Sequence, residues 1–191
     1  MDELSDEQVE PEVLSSDLVY SGNVWDVRDD TVRYNDGQIR RQYVHHPGAA
    51  AIIAVDDDER VLLIQQYRHP IRHRDWEVPA GLLDVAGEEP MAAAQRELAE
   101  EADLRAGRWD PLVSIFTTPG GNDEVVHLFL ARDLTPVGEA FAREDEEADI
   151  RLEWVALTDA VDAVMSGRMR NGILATGVLA AAERLRRDAE A

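Results

Sequence analysis

The sequence predicts an α+β protein: a mixed β-sheet between helices, preceded by a small antiparallel β subdomain. Strand-like and helical segments alternate irregularly, which suits a mixed sheet. Before His46-Pro47-Gly48 the chain carries only short strand-like runs broken by turns. The stretch Pro90 to Ala102 has the apolar periodicity of a helix that packs on a core.

The elements follow in order. Residues 1–16 are polar, acidic and unpatterned, and read as a flexible tail. Residues 17–47 form the β subdomain. Val24, Trp25 and Val27 make one run, and Thr31, Val32 and Tyr34 the next. Asn35-Asp36-Gly37 is a turn signal before Ile39 to Val44. From residue 48 to 191 the chain reads as one larger domain. Ala49 to Val55 and Arg60 to Tyr67 flank the acidic turn Asp56-Asp57-Asp58-Glu59. Their nearly continuous apolar character predicts strands buried on both faces. Trp76 to Pro79 is a short strand and Gly81 to Glu89 a loop. Pro90 suits the first turn of the helix that ends near Ala102. Leu112 to Phe116 and Val125 to Ala131 are strands around Thr118-Pro119-Gly120-Gly121-Asn122. Residues 133–149 read as a loop with the acidic cluster Glu144-Asp145-Glu146-Glu147. A strand over Leu152 to Leu157, a helix over 159–166 capped by Thr158, and a long final helix from Asn171 to about Ala189 complete the chain.

Composition excludes several kinds of chemistry. The 191 residues are 45% hydrophobic, enough for a sizeable core. Cysteine is absent, so disulfides, thiolate metal sites and cysteine nucleophiles are out. All 19 basic residues are Arg, which removes Schiff-base and P-loop lysine chemistry. With 40 acidic residues the formal charge is −21, against nucleic-acid binding and in keeping with divalent cations. No apolar run approaches the roughly 18 residues of a membrane span, and the acidic N-terminus lacks the shape of a signal peptide. The expectation is a cytoplasmic protein that binds neither membrane nor nucleic acid.

The helix over Pro90 to Ala102 carries the chemistry. On a wheel with Glu97 at zero, Glu101 falls at about 40° and Glu100 at about 300°. Met91, Ala94, Leu98 and Ala102 fall between about 60° and 140°, so an acidic stripe runs beside the buried one. Like charges at this spacing disfavour a bare helix by a few tenths of a kcal/mol per pair. A hard divalent cation would reverse that sign. A solvated Glu-rich face is the simple alternative; the Arg96-Glu97 and Glu100-Glu101 pairs and the glycine-bearing loop before them count against it.

These residues resemble the Nudix box. Gly81 leads, Glu88 follows after six residues where the family has five, and then come Arg96, Glu97, Leu98, Glu100, Glu101 and Leu104. Asp103 stands where the family has Gly, a position where Asp tolerates the left-handed region better than most residues. The resemblance implies an α/β/α sandwich that cleaves a nucleoside diphosphate linked to another group, using Mg²⁺ or Mn²⁺. It assigns Glu97 and Glu101 as metal ligands, Glu100 as a third, and the Ala80 carbonyl as a further ligand. Gly81, Glu88 and Arg96 become structural, with Arg96 and Glu88 an ion pair orienting loop and helix.

Features outside the box resemble the ADP-ribose pyrophosphatase branch. They are Gln65-Gln66-Tyr67-Arg68, Trp76 to Gly81, Pro119 in its Pro-Gly-Gly turn, and the N-terminal meander. That likeness implies a homodimer joined through the N-terminal strands, and AMP and ribose 5-phosphate as products. Arg68 would contact a phosphate and Glu124 the terminal ribose, the alternatives being a surface arginine and a turn carboxylate. Leu82 would line the substrate site. Arg41, beside a Gln42 where the branch often has Glu, falls on the strand that reaches the partner's site. Trp25 is a packing residue or an adenine-stacking surface. His45 and His46 read as strand-end residues. Glu146 is the first choice for the general base and Glu147 the second, because Asp149-Ile150-Arg151 matches the branch's following strand start. Alternatives are a pyrophosphatase for another nucleotide sugar, such as GDP-mannose, or a non-catalytic ligand-binding module.

Overall fold

The computed structural model describes residues 4–138 and 150–191. The chain divides into two compact units: Met1–Pro47 with Thr118–Asp123, and Gly48–Thr117 with Glu124–Ala191. The turn Thr118–Asp123 thus goes with the N-terminal unit, although sequence places it inside the larger domain.

The first unit is an antiparallel sheet ordered β1-β2-β3, with β1 Val13–Ser21, β2 Asp26–Tyr34 and β3 Gly37–His45. Strand β1 begins inside the segment expected to be tail. Val13 pairs with Val32, and the Arg33 N–H donates to the Glu12 carbonyl at 2.9 Å, so backbone pairing orders residues that have no apolar pattern of their own. The two expected runs around Val27 and Val32 are one strand, β2. Its centre holds a buried carboxylate, Asp29. Arg40 grips it through Nε at 2.7 Å and Nη2 at 2.5 Å, and Gln42 Nε2 donates at 2.8 Å. The Arg40 hydrogen bond, then that from Gln42, holds the Asp29 carboxyl below its ordinary range. At the end of β3, Asp123 accepts from His45 Nδ1 at 2.6 Å and from the His46 N–H at 2.9 Å. The strand-end histidines therefore fasten the turn Thr118–Asp123 to β3.

The second unit has two sheets, ordered β10-β5-β6 and β7-β4-β9-β8. Strand β4 is Ala49–Ala54, β5 Arg60–Arg68, β6 His73–Glu77, β7 Ala80–Leu82, β8 Leu104–Phe116, β9 Val125–Pro136 and β10 Arg151–Ala156. The helices are α1 Pro90–Ala102, α2 Leu157–Met165 and α3 Gly172–Glu190. Strand β4 explains its own apolar run. Ala49, Ala51 and Ile53 pack with α2 and α3, while Ala50, Ile52 and Ala54 pack with α1. Strand alternation thus feeds two cores from one segment. Helix α3 comes so close that a methyl on Gly177 would overlap the Ile53 side chain.

Several expectations are corrected. β4 and β5 follow one another across an acidic turn but belong to different sheets, touching at the single bridge Val55–Val61. β4 instead pairs in parallel with β9. The expected loop at Gly81 opens with strand β7, because β4 offers Ala49 to Ala51 as partners. β8 and β9 are longer than expected, since each supplies the other's hydrogen bonds across a bulge at Pro111. Thr158 is not a cap. Helix α2 starts at Leu157 after Ala156, without a side-chain cap, and the Leu157 N–H donates to the Glu59 carbonyl at 2.9 Å. Asn171 does cap α3, accepting from the Leu174 N–H at 3.0 Å. Among the described residues no helix is long and apolar enough to cross a membrane.

Candidate active site

Helix α1 builds the site. Pro90 starts it with φ preset and no lost N–H. Asp103 ends it in the left-handed region at φ 55°, its N–H meeting the carbonyls of Ala99 and Leu98. Ala93, Ala94, Leu98, Ala99 and Ala102 are buried, which turns the neighbouring acidic stripe toward β7.

Arg96 organises three carboxylates. Its Nε and Nη2 donate to the two Glu88 oxygens at 3.2 and 3.0 Å. Its Nη1 donates to Glu97 at 2.5 Å and to Glu100 at 3.2 Å. The Arg96 hydrogen bonds hold Glu88 below the usual carboxylate range, and those carboxylates raise Arg96 in turn. Glu101, buried at 6% exposure, accepts from the Ala80 N–H at 2.9 Å. Gly81 lies against Glu97, and a methyl there would fall onto the carboxylate. Loop, strand β7 and helix are thereby closed around Glu97 and Glu101.

The donor set fits a hard divalent cation: carboxylate oxygens around a glycine cradle, and one guanidinium among four glutamates. Among the described residues no three acidic or imidazole side chains converge as a finished cage. Glu97 and Glu100 turn to Arg96, and Glu101 turns to Ala80. The groups that would hold the ion are Glu97 and Glu101, with Glu100 beside them.

The other expected site residues stand as follows. Leu82 is half-buried in β7 opposite Ala49. Arg68, on β5, makes a two-point contact with Glu77 of β6, Nε to Oε1 and Nη2 to Oε2, each at 2.7 Å. Glu124 accepts from Thr117 Oγ1 at 2.5 Å. Trp25 and Arg41 belong to the first unit, Trp25 exposed and Arg41 donating to the Arg40 carbonyl. Gln42 is engaged with Asp29. Glu146 and Glu147 lie outside the described residues. Sequence reasoning overlooked Glu77, Gln66 and Asp123 as partners. Strand register places Arg68 opposite His73 and Glu77 opposite Ile64, so the Arg68–Glu77 contact depends on the reach of the long arginine side chain and leaves no mark in the strand pattern.

Comparison with known proteins agrees with this geometry. The NUDIX domain family model matches residues 44–174. The ADP-ribose pyrophosphatase of Mycobacterium tuberculosis is 44% identical over 170 residues, covering 88% of this chain and 82% of its own. That of Bacillus subtilis is 36% identical, covering 83% and 85%. A solved structure described as an ADP compounds hydrolase superposes with TM-score 0.75 at 20% identity, over 96% of this chain and 98% of its own. The Gly81 cradle, the Arg96 network and the match over most of the chain have one reading: the protein belongs to the Nudix family.

Proposed function

We propose that the protein hydrolyses ADP-ribose to AMP and ribose 5-phosphate with Mg²⁺. The observation that carries the reading is the half-buried Glu97 and the buried Glu101 held beside Gly81 and Ala80, in a chain 44% identical to an enzyme of that name. Water attacks one phosphorus, the P–O–P bridge breaks, and the bridging oxygen leaves with the other phosphate. A bound divalent cation would supply charge neutralisation of the diphosphate and a more acidic water. Glu97, Glu101 and Glu100 would hold it through their carboxylate oxygens, with the Ala80 carbonyl. Arg96 keeps the helix carboxylates oriented through Glu88. Arg68 binds a phosphate, while Leu82 and Glu124 line the substrate site. Glu146, or else Glu147, takes the proton from water, and Gln at the correct position lowers kcat by roughly 10²–10⁴ with KM little changed.

The same proposal includes a homodimer in the cytoplasm. Val13, Leu18, Val19 and Tyr20 leave β1 apolar and exposed, and pairing with a second chain covers such an edge. Trp25 and Arg41 then serve the partner's site. A fully active monomer by light scattering would refute the shared site. The test of function is incubation with Mg²⁺ and a panel including ADP-ribose and GDP-mannose, with product identification. AMP and ribose 5-phosphate from ADP-ribose are expected; preferred cleavage of another nucleotide sugar would overturn the substrate assignment.

A further inference from the structure

Glu77 is a buried carboxylate outside the helix network, at 8% exposure. Both its oxygens are directed to Arg68, and Gln66, also buried, donates Nε2 to its Oε2 at 3.3 Å. The Arg68 side chain is 45% exposed. A two-point contact fixes the plane of a guanidinium as well as its place, whereas one bond leaves it free to turn. The contact runs diagonally across the β5–β6 pair, where Gln66 faces Asp75 and Ile64 faces Glu77. From Glu77 the chain continues through Val78 and Pro79 to Ala80, whose N–H holds Glu101. One extended run therefore carries both the group that orients Arg68 and the backbone that orients Glu101. In Coulomb terms alone, Glu77 weakens the pull of Arg68 on an anion. The arrangement favours direction over net charge.

We propose that Glu77, braced by Gln66, is a positioning residue that aims the Arg68 guanidinium at the substrate diphosphate. This rests on the reading of Arg68 as a phosphate contact. The two effects of Glu77 have opposite signs. Glu77→Gln keeps the size and one acceptor but loses the second oxygen of the fork. If aim dominates, KM for ADP-ribose rises about tenfold, the loss of one charge-assisted hydrogen bond, with kcat within about twofold. If charge dominates, KM falls.

The experiment is a double-mutant cycle with Arg68→Ala on the full chain with Mg²⁺, with melting temperature followed in every variant. Glu77→Gln is expected to raise KM in the wild-type background and to be silent in the Arg68→Ala background. An unchanged or lower KM, an effect that persists without Arg68, or a fall in kcat and melting temperature at constant KM would overturn the proposal. If Arg68→Ala itself leaves KM unmoved, the phosphate assignment falls and the proposal with it. Should wild-type protein not turn over ADP-ribose, the function reading fails separately, and the cycle is read on ADP-ribose binding by calorimetry with the same two outcomes.

Discussion

Replacing Gly81 by Ala separates the catalytic geometry from the fold. Gly81 is not among the glycines with positive φ, which are Gly48, Gly87 and Gly167, so its backbone accepts an L side chain. It sits in β7 opposite Ala50, where Ala is no poorer a strand residue than Gly. The three atoms nearest the new methyl all belong to Glu97: Cγ, Cδ and Oε1. Carbon contacts settle near 3.5–4.0 Å, so the carboxylate moves by about 1 Å or more. The moving atoms end a flexible side chain. An off-rotamer cost of about 0.5–1.5 kcal/mol is largely offset by about 0.4–1 kcal/mol from removing a glycine's unfolded-state freedom. The partly exposed Arg96–Glu97 contact that is weakened adds about 1 kcal/mol or less, so the net loss of stability is about 2 kcal/mol or less. Glu97 loses its place against Arg96, itself anchored on Glu88. A misplacement of about 1 Å at reacting groups costs about 10² in rate. Calorimetric melting together with Mg²⁺-dependent release of AMP and ribose 5-phosphate measures both quantities. A kcat within about threefold of wild type would refute the cradle argument, as would loss of the folded state, which would show that Gly81 serves the strand instead.

Other outcomes follow from the same contacts. Glu101→Gln retains an acceptor for the Ala80 N–H and so keeps the fold, while Mg²⁺ or Mn²⁺ affinity by calorimetry falls by more than about tenfold and turnover is largely lost; unchanged affinity would remove Glu101 from the metal site. Because Arg40 and Gln42 depress Asp29 in the folded state, its contribution is fully present above the ordinary carboxylate value of about 3.9 and is lost as pH falls through the lower folded value. Asp29→Asn should therefore melt earlier at neutral pH, with the difference from wild type closing toward strong acid; a gap independent of pH would contradict the linkage. Gly177→Val drives a side chain into Ile53 and Leu128 and costs about 2 kcal/mol or more by urea denaturation. Gly172→Ala, in open space at the start of the same helix, is the tolerated control.

Sequence by itself determined the elements whose cause is local. Pro90 and Asp103 bound α1, and the wheel already put Glu97, Glu100 and Glu101 on one stripe beside Leu98. The resemblance to the Nudix box implies the Arg96–Glu88 pair, while the further reach of Arg96 to Glu97 and Glu100 is set by the structure. The unbroken apolar run of β4 announced burial on both faces, and Asn171 its own helix. Only the tertiary structure decided that β4 leaves β5 for β9, that β1 begins at Val13, and that Thr118–Asp123 joins the first unit. It alone set Glu97 on Gly81, Arg68 on Glu77 and the strand-end histidines on Asp123. The physical reason is range. Caps, turns and helical periodicity act within a few residues and leave a mark in the local pattern. Strand partners and side-chain ion pairs are chosen by which surfaces the finished sheets bring within a few ångströms, and Thr158 shows the consequence: its local cap signal was overridden once Leu157 bonded to Glu59.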